Sequence, residues 1–341
     1  MPRLTLGWLL LVLLAACART VPQEATRTPR AISTQTPAQT QTQTQTPPSA
    51  PTSTPTQTRT QAGTQTQMPE PTSTRAMLWK VSDGDNAIYL LGSFHALRAG
   101  DYPLPTSVDA AFADAEALAF EVDPGEMESP AISQQMLASA YLPAGQRLQQ
   151  VVPAATWAKL AAYCRDNGLA LESFQPMAPW FVSLSLSLRQ MGKLGFDPKL
   201  GLDRHLMARA ERAGKPAEGL ETAAAQIAVL AGMPLSTQLQ FLQEALDQDG
   251  KDSMDSLHRT WRLGDDQAME RLMVDELASK YAELYRRINV DRNQAWLPRL
   301  RAMLDDEAED ETLVVVGSLH LLGRDGLVQQ LAARGYRVER L

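Results

Sequence analysis

Apolar and polar residues alternate in two different ways along the chain, and the difference predicts where strands and helices lie. Short apolar runs bounded by turn-forming residues predict β-strands at residues 78–81, 87–91, 117–122, 312–316 and 336–338. The first two runs flank Asp83–Asn86, a turn-forming segment typical of a β-hairpin. From about residue 131 to 291, apolar residues recur at helical spacing between prolines. We therefore expect an α/β fold, in which a mixed β-sheet is built from N- and C-terminal segments with a large helical insertion between them.

The first 76 residues lack this patterning, so the folded domain is predicted to span residues 77–341. Residues 1–16 carry Arg3 and then an apolar run that is too short to remain as a membrane span, which is typical of a signal peptide. The run ends at Cys17, and the small residues before it resemble the lipobox of bacterial lipoproteins. This resemblance predicts cleavage before Cys17 and lipidation of its side chain. The alternative is an ordinary secreted protein that is cut near Ala16 and carries an incidental cysteine.

Residues 17–76 are rich in Thr, Gln, Pro and Ser and contain almost nothing apolar to bury. Such a composition predicts a disordered tether between the lipid and the domain. The lipid would anchor the protein to a membrane of the cell envelope. Ala18, rather than an aspartate, follows the cysteine. In lipoproteins of Gram-negative bacteria this usually goes with sorting to the outer membrane, so we expect the protein on its periplasmic face.

Charge and cysteine content limit the functions that remain. The formal net charge of −7 provides no overall basic character, so no nucleic-acid partner is expected. Once Cys17 is lipidated, Cys164 is the one cysteine left, which excludes an intramolecular disulfide. Stability must then come from a packed core, in which Cys164 is expected to lie.

Two of the four histidines stand in matching segments near opposite ends of the chain. Gly92-Ser93-Phe94-His95 and Gly317-Ser318-Leu319-His320 each follow an apolar strand. Glycine at the exit of a strand permits a sharply turning backbone, and the imidazole three residues later projects over the edge of the sheet. Because imidazole binds metals and carries protons near neutral pH, His95 and His320 indicate a metal site or an acid–base site. The alternative is that both histidines cap strand ends structurally.

Glu121 lies inside an apolar strand, where a carboxylate is costly unless it is paired or bound to a metal. We therefore take Glu121 as a third candidate, either as a metal ligand or as the base that activates water. The alternative is a strand-end carboxylate in solvent or in a salt bridge.

Other polar residues give weaker signals. His205 and His258 lie in helical stretches and are expected to be ordinary surface or half-buried histidines. Neither Ser93 nor Ser318 sits in the Gly-x-Ser-x-Gly turn of a hydrolase nucleophile, so turn hydrogen bonding explains them better. The chain has no Walker loop, no dinucleotide fingerprint and no His-Glu-x-x-His helix.

Several motifs in order along residues 77–341 resemble the TraB/GumN family. They are the two Gly-x-x-His motifs, Phe120–Asp123, Gly219–Thr222, Asp291–Trp296 and the ending from Gly323 to Tyr336. This family includes the Tiki proteins, which look like metal-dependent proteases that use manganese or cobalt. It is also similar in fold to erythromycin esterase and to a haem-binding lipoprotein of iron uptake.

The resemblance implies a site made of six residues: His95, Glu121, Glu221, Arg292, Asn293 and His320. The two imidazoles and Glu121 would hold a divalent ion, manganese or cobalt with zinc as the alternative, whose bound water attacks a carbonyl. Glu121 counts with the catalytic groups as well, and Arg292 or Asn293 would stabilise the oxyanion. Glu221 is a looser fit as a further ligand, because residues 215–218 before it are more polar than the expected buried strand.

The function expected from these residues and from the resemblance is a metal-dependent hydrolase, in the first place a peptidase. Its substrate would be a peptide or protein in the cell envelope. Two alternatives stay open. One is a non-catalytic lipoprotein that binds haem, metal or a partner protein through the same histidines, and the other is an esterase, with or without a metal.

Overall fold

The computed structural model describes residues 75–247, 251–305 and 310–341. The predicted signal peptide, the lipidation site Cys17 and nearly all of the predicted tether lie outside the described residues. A six-stranded mixed sheet forms the centre of the fold, with strand order β4-β3-β5-β2-β1-β6. The strands are β1 (Leu78–Ser82), β2 (Ala87–Ser93), β3 (Ala117–Val122), β4 (Ala217–Glu221), β5 (Thr312–Gly317) and β6 (Arg337–Arg340). The α/β prediction, with a sheet from both chain ends and a helical middle region, is confirmed.

Strand directions place the ends of four strands at one edge of the sheet. β1 pairs antiparallel with β2, as the hairpin prediction requires, and with β6. β2, β5, β3 and β4 run parallel to one another. In the β2–β5 pair, Gly92 lies opposite Val316 and Ser93 opposite Gly317. The two Gly-x-x-His motifs therefore leave adjacent strands side by side, at the carboxyl edge that β3 and β4 share.

The inner parallel strands β2, β5 and β3 are buried on both faces, which explains their continuous apolar sequences. Every residue of β2 is buried, and so are all but the first residues of β3 and β5. Close packing at the edge of the sheet requires a glycine at Gly92. A Cβ atom there would lie 2.8 Å from Oγ of Ser318 and 2.9 Å from Cβ of Met77.

Helices occupy most of the chain between β3 and β5. The α-helices of the described residues are α1 (Thr106–Asp114), α2 (Pro124–Met127), α3 (Pro130–Ala140), α4 (Leu148–Val151), α5 (Ala154–Asp166), α6 (Pro179–Lys193), α7 (Leu202–Ala213), α8 (Ala223–Ala231), α9 (Leu235–Leu246), α10 (Lys251–Leu263), α11 (Asp266–Glu270), α12 (Glu276–Lys280), α13 (Ala282–Tyr285), α14 (Asp291–Leu304) and α15 (Leu327–Ala332). Short 3-10 helices lie at Ala99–Asp101, Leu171–Phe174, Pro198–Leu200 and Ser318–Leu321. Two π-helical turns, Arg271–Asp275 and Arg286–Val290, precede α12 and α14. No helix in the described part of the chain is long and apolar enough to cross a membrane.

The helical region has a small core of its own beside the main core of the sheet. Side chains from α4, α5, α6 and α9 form it, and Cys164 is buried among them as predicted. The folded region also begins slightly earlier than the predicted boundary at residue 77. Ala76 is buried, and the guanidinium of Arg75 donates hydrogen bonds to the carbonyl oxygens of Arg340 and Leu341.

Candidate functional site

The structure brings all six of the predicted site residues together at the carboxyl edge of the sheet. His95 follows β2, Glu121 lies in β3 and Glu221 ends β4. His320 lies in the 3-10 helix after β5, and Arg292 and Asn293 lie in the first turn of α14. The π-helical turn Arg286–Val290 leads directly into that turn of α14, and such turns occur frequently at functional sites.

Arg292 is at the centre of the cluster and is only 4% exposed. Its Nη2 donates to Oε2 of Glu121 at 2.5 Å and to Oε1 of Glu221 at 2.6 Å. Its Nε donates to both oxygens of Glu221, and its Nη1 donates to Nε2 of His320 at 2.8 Å and to the carbonyl oxygen of Ile288. All five N–H groups of the guanidinium are thus engaged with acceptors of the protein.

Glu121 is ionised in this setting. Burial alone would raise the pKa of Glu121, but above all the charge of Arg292 outweighs burial, and the pKa is lowered to about 2. Oε1 of Glu121 also accepts the backbone N–H of Gly317 at 2.7 Å. Glu221 differs, because burial raises its pKa in spite of Arg292. The two carboxylates that share one arginine therefore have unequal affinities for a proton.

His320 is fully buried, and its hydrogen bonds assign one neutral tautomer. Nδ2 of Asn293 donates to the carbonyl oxygens of His320 and Asp325, so the amide oxygen of Asn293 faces the ring. That oxygen lies 2.7 Å from Nδ1 of His320 and accepts its proton. Nε2 is then left as an acceptor for Arg292. Burial and the charge of Arg292 lower the pKa of His320 to about 3, so the ring is neutral.

His95 is held by Asp203, a residue that the sequence analysis did not select. Nδ1 of His95 lies 3.1 Å from Oδ1 of Asp203, which also accepts a hydrogen bond from Oγ of Ser93 at 3.0 Å. Nε2 of His95 is buried and makes no hydrogen bond with the described residues. It lies 3.6 Å from Oε1 of Glu121. Burial lowers the pKa of His95, but Asp203 and Glu121 outweigh burial and raise it.

The cluster contains imidazole nitrogens and carboxylate oxygens, the donor types that divalent cations bind. Both imidazoles are held through Nδ1, as metal-ligating histidines usually are, and Nε2 of His95 and of His320 lie 3.6 and 3.9 Å from Oε1 of Glu121. The carboxylates of Glu121 and Glu221 both pair with Arg292, and the carboxylate of Asp203 pairs with His95. Within the described ranges, however, no three His, Cys, Asp or Glu side chains form a complete metal site. Arg292 and a metal would compete for Nε2 of His320.

Further residues complete the surroundings of the cluster. Gln226 is buried and its Nε2 lies 3.4 Å from both Glu121 and Glu221. The ring of Trp296 packs against His320, with centroids 4.5 Å apart, and against the guanidinium of Arg292. The neighbouring sequence does not single out either residue, because a glutamine or a tryptophan within an apolar helix is expected to be part of the ordinary core.

The histidines that the sequence analysis set aside lie outside the cluster. His258 was expected to be a surface or half-buried residue, and it is buried instead, because Nε2 pairs with Oδ2 of Asp101 at 2.9 Å. His205 is half-buried as expected and packs against the ring of Tyr102. Ser318 donates to the carbonyl oxygen of Ser93, so its hydroxyl joins the two Gly-x-x-His motifs instead of making the expected hydrogen bond within its own turn.

Comparison with known proteins gives a family match over the folded region. The model of the TraB/PrgY/gumN family matches residues 77–340. The chain is 27% identical over 250 residues to "Uncharacterized protein YbaP" of Escherichia coli (strain K12), which covers 73% of this chain and 89% of that protein. The YbaP protein of Shigella flexneri matches with the same identity and coverage. No solved structure matches the chain.

Proposed function

The chain belongs to the TraB/PrgY/gumN family, and on this basis we propose that it is a metal-dependent hydrolase that cleaves peptide bonds. The observation that carries this proposal is the buried Nε2 of His95, which makes no hydrogen bond with the described residues and faces the ionised carboxylate of Glu121 beside Arg292. A buried polar atom that makes no hydrogen bond and lies beside a charged carboxylate costs folding stability, and such arrangements cluster at functional sites.

The residues that would hold a divalent ion are His95, His320 and Glu121, whose donor atoms converge. A bound ion would supply a Lewis acid that lowers the pKa of water and polarises a carbonyl group. Glu221 is the predicted ligand that fits least, because both of its oxygens accept from Nε of Arg292. We infer that Glu221 acts through Arg292, by holding the guanidinium against Glu121.

Glu121 is the group best placed to accept the proton of an attacking water. Its low pKa keeps it ionised at neutral pH, and its Oε1 faces both imidazoles. Arg292 keeps this carboxylate oriented, and its charge stabilises negative charge that develops nearby. Direct donation to an oxyanion, the predicted role of Arg292 or Asn293, requires one of their existing hydrogen bonds to open. The N–H groups of Asn293 are engaged with the carbonyl oxygens of His320 and Asp325.

The same activated water could attack an ester, so the esterase alternative is tested beside the peptidase. The haem-binding alternative gains no support from the geometry. Nε2 of both histidines lies within 4 Å of one oxygen of Glu121, and a porphyrin between the two rings would overlap this carboxylate and Arg292. The predicted location in the cell envelope, on a lipid at Cys17, remains part of the proposal, with an envelope peptide or protein as the substrate.

The experiment uses the full chain in detergent, stripped of metal, with a mixed peptide library and a set of aryl esters read by mass spectrometry. Each is tested with Mn²⁺, Co²⁺, Zn²⁺ or a chelator. We expect peptide cleavage that needs an ion. It should fall by about 100-fold or more in Glu121→Gln and His95→Ala. Glu218→Gln is the matched control, because Glu218 is an exposed carboxylate on the same strand as Glu221. Cleavage of esters alone would favour the esterase, and no turnover by the folded chain with any ion would refute the hydrolase.

A further inference from the structure

The two Gly-x-x-His motifs match in sequence, but their histidines have different partners at Nδ1. His320 faces the amide oxygen of Asn293 at 2.7 Å, and His95 faces the carboxylate of Asp203 at 3.1 Å. The motifs themselves do not predict this difference. It arises because α14 reaches the second motif and α7 reaches the first.

Residues 201–203, at the start of α7, contact the last three residues of the first motif, which are Ser93, Phe94 and His95. A Cβ atom on Gly201 would lie 2.3 Å from the carbonyl oxygen of His95, so only glycine allows this approach. Leu202 donates its backbone N–H to the carbonyl oxygen of Phe94 at 3.2 Å. Asp203 then accepts from Ser93 and His95 with the same oxygen. This segment, residues 201–203, contacts the motif through backbone and side chain alike.

In its neutral form the ring of His95 carries one proton, and two carboxylates compete for it. Asp203 lies 3.1 Å from Nδ1, while Glu121 lies 3.6 Å from Nε2, beyond hydrogen-bond distance. The proton therefore stays on Nδ1, which leaves the Nε2 lone pair facing Glu121. Without the carboxylate of Asp203, the charge of Glu121 would draw the proton to Nε2, and the lone pair would be lost from the site.

We propose that Asp203 is a positioning residue of the site, which holds the imidazole proton of His95 on Nδ1 and so presents Nε2 to the reaction centre. The residues 201–203 thus form a third motif that acts together with the two Gly-x-x-His motifs. This inference rests on the proposed function for its catalytic consequence. The tautomer of His95 is a property of the chain alone.

The test measures the tautomer directly in the metal-free full chain. The chain contains four histidines, so ¹⁵N-histidine labelling gives four ring systems, which single His variants assign. Long-range ¹H–¹⁵N correlations, recorded well above the titration of His95, report which ring nitrogen carries the proton. We expect Nδ1–H for both His95 and His320 in the unmodified chain. In Asp203→Ala the proton of His95 moves to Nε2 while His320 is unchanged.

Asp203→Asn is the conservative variant, because it copies the amide that holds His320. It keeps an acceptor at Nδ1 and is expected to retain the tautomer, so it keeps the test decisive if the alanine variant does not fold. Asp101→Asn is the matched control, since it removes a buried carboxylate from a different buried histidine, His258. It should change the spectrum of His258 and leave His95 as it is.

Turnover adds a second readout. We expect kcat to fall about 10- to 100-fold in Asp203→Ala with little change in KM, to recover partly in Asp203→Asn, and to stay near the unmodified value in Asp101→Asn. A His95 proton that remains on Nδ1 in Asp203→Ala, or that already lies on Nε2 in the unmodified chain, would overturn the inference. Absence of turnover in every variant would refute the hydrolase proposal, while the spectra would still decide the role of Asp203.

Discussion

Replacing Arg292 with methionine should destabilise the fold more than any surface charge change. Methionine keeps much of the length and the apolar contact with Trp296, but removes the guanidinium that pairs with Glu121 and Glu221. Among residues 75–247, 251–305 and 310–341, Glu121 then keeps only the N–H of Gly317 and a weak contact with Gln226 as hydrogen-bond donors. The variant therefore isolates the contribution of charge pairing at the centre of the site.

The expected loss can be estimated from burial. Removing one partner of a buried ion pair costs about 3–5 kcal/mol, because the remaining charge is left uncompensated. Two carboxylates lose their partner here, but the raised pKa of Glu221 shows that it takes up a proton more readily than an ordinary carboxyl. We therefore expect a loss near the middle of that range, about 4 kcal/mol. For a domain of this size the midpoint of thermal unfolding should fall by about 8–16 °C.

The loss should depend on pH in a definite direction. In the unmodified chain the pKa of Glu121 is lowered to about 2, so its contribution to stability is complete above its ordinary pKa of 4.5 and is lost as the pH falls toward 2. Without Arg292, burial dominates and raises the pKa of Glu121 above 4.5. The variant is then penalised most at high pH, and the difference between the two proteins should narrow from about pH 8 to about pH 5.

The assay is urea unfolding followed by circular dichroism at several pH values. Arg299→Met is the matched control on the same helix, because its partner Glu218 is exposed and the pair is worth at most about 1 kcal/mol. Combining Arg292→Met with Glu121→Gln and Glu221→Gln should restore much of the stability, since no buried charge is left unpaired. A loss in Arg292→Met no larger than in Arg299→Met, or one that does not change with pH, would refute the reasoning.

Three other results are expected. Gly201→Ala should lower the unfolding midpoint, because its Cβ would lie 2.3 Å from the His95 carbonyl oxygen. Gly192→Ala should raise stability by up to about 1 kcal/mol, because its Cβ would meet no described atom within 4 Å apart from its own helix backbone and chain neighbours; equal effects would contradict the close approach. Burial raises the pKa of Asp101, but hydrogen bonds from His258 and the backbone outweigh burial and lower the pKa below its ordinary value of 3.8. Asp101→Asn should therefore flatten the loss of stability that occurs as the pH falls below 3.8. An unchanged stability profile would contradict the pairing of Asp101 with His258. Mn²⁺ at about 100 times its Kd should stabilise the unmodified chain by about 2.7 kcal/mol in thermal unfolding and have no effect on His95→Ala. An equal shift in both proteins would show that the ion binds outside the candidate site.

The sheet was predictable because its inner strands are buried on both faces and read as apolar runs. β4 lacks such an apolar run, because it lies at the edge of the sheet, where its neighbour among the described strands is β3. Four of its five residues are half-buried, and Glu218 pairs with Arg299 at the surface. The polar segment that made Glu221 a doubtful candidate is thus an edge strand, and an edge strand tolerates polar residues.

The candidate site, too, was predictable only in part, because some of its residues have a sequence signal close by and others do not. The histidines and Glu121 were found because glycine spacing and strand burial are visible within a few residues. Asp203 was not found, because it meets His95 across 108 positions of sequence and its own surroundings look like an ordinary helix start. Arg292 was selected through the family resemblance, but only the structure shows that all its N–H groups are already engaged.

The pairing of β2 with β5 has a consequence for the time at which activity can arise. These neighbours come from opposite ends of the domain, at Ile88–Ser93 and Thr312–Gly317. A nascent chain that has left the ribosome up to α14 holds His95, Glu121 and Arg292 but lacks the strand on which they converge. Closing so long a loop is slow, so even in the completed chain the β2–β5 pair, and with it the contact between the two Gly-x-x-His motifs, is expected to form late in folding. A chain that is unfinished, or clipped before β5, is therefore expected to lack the assembled site.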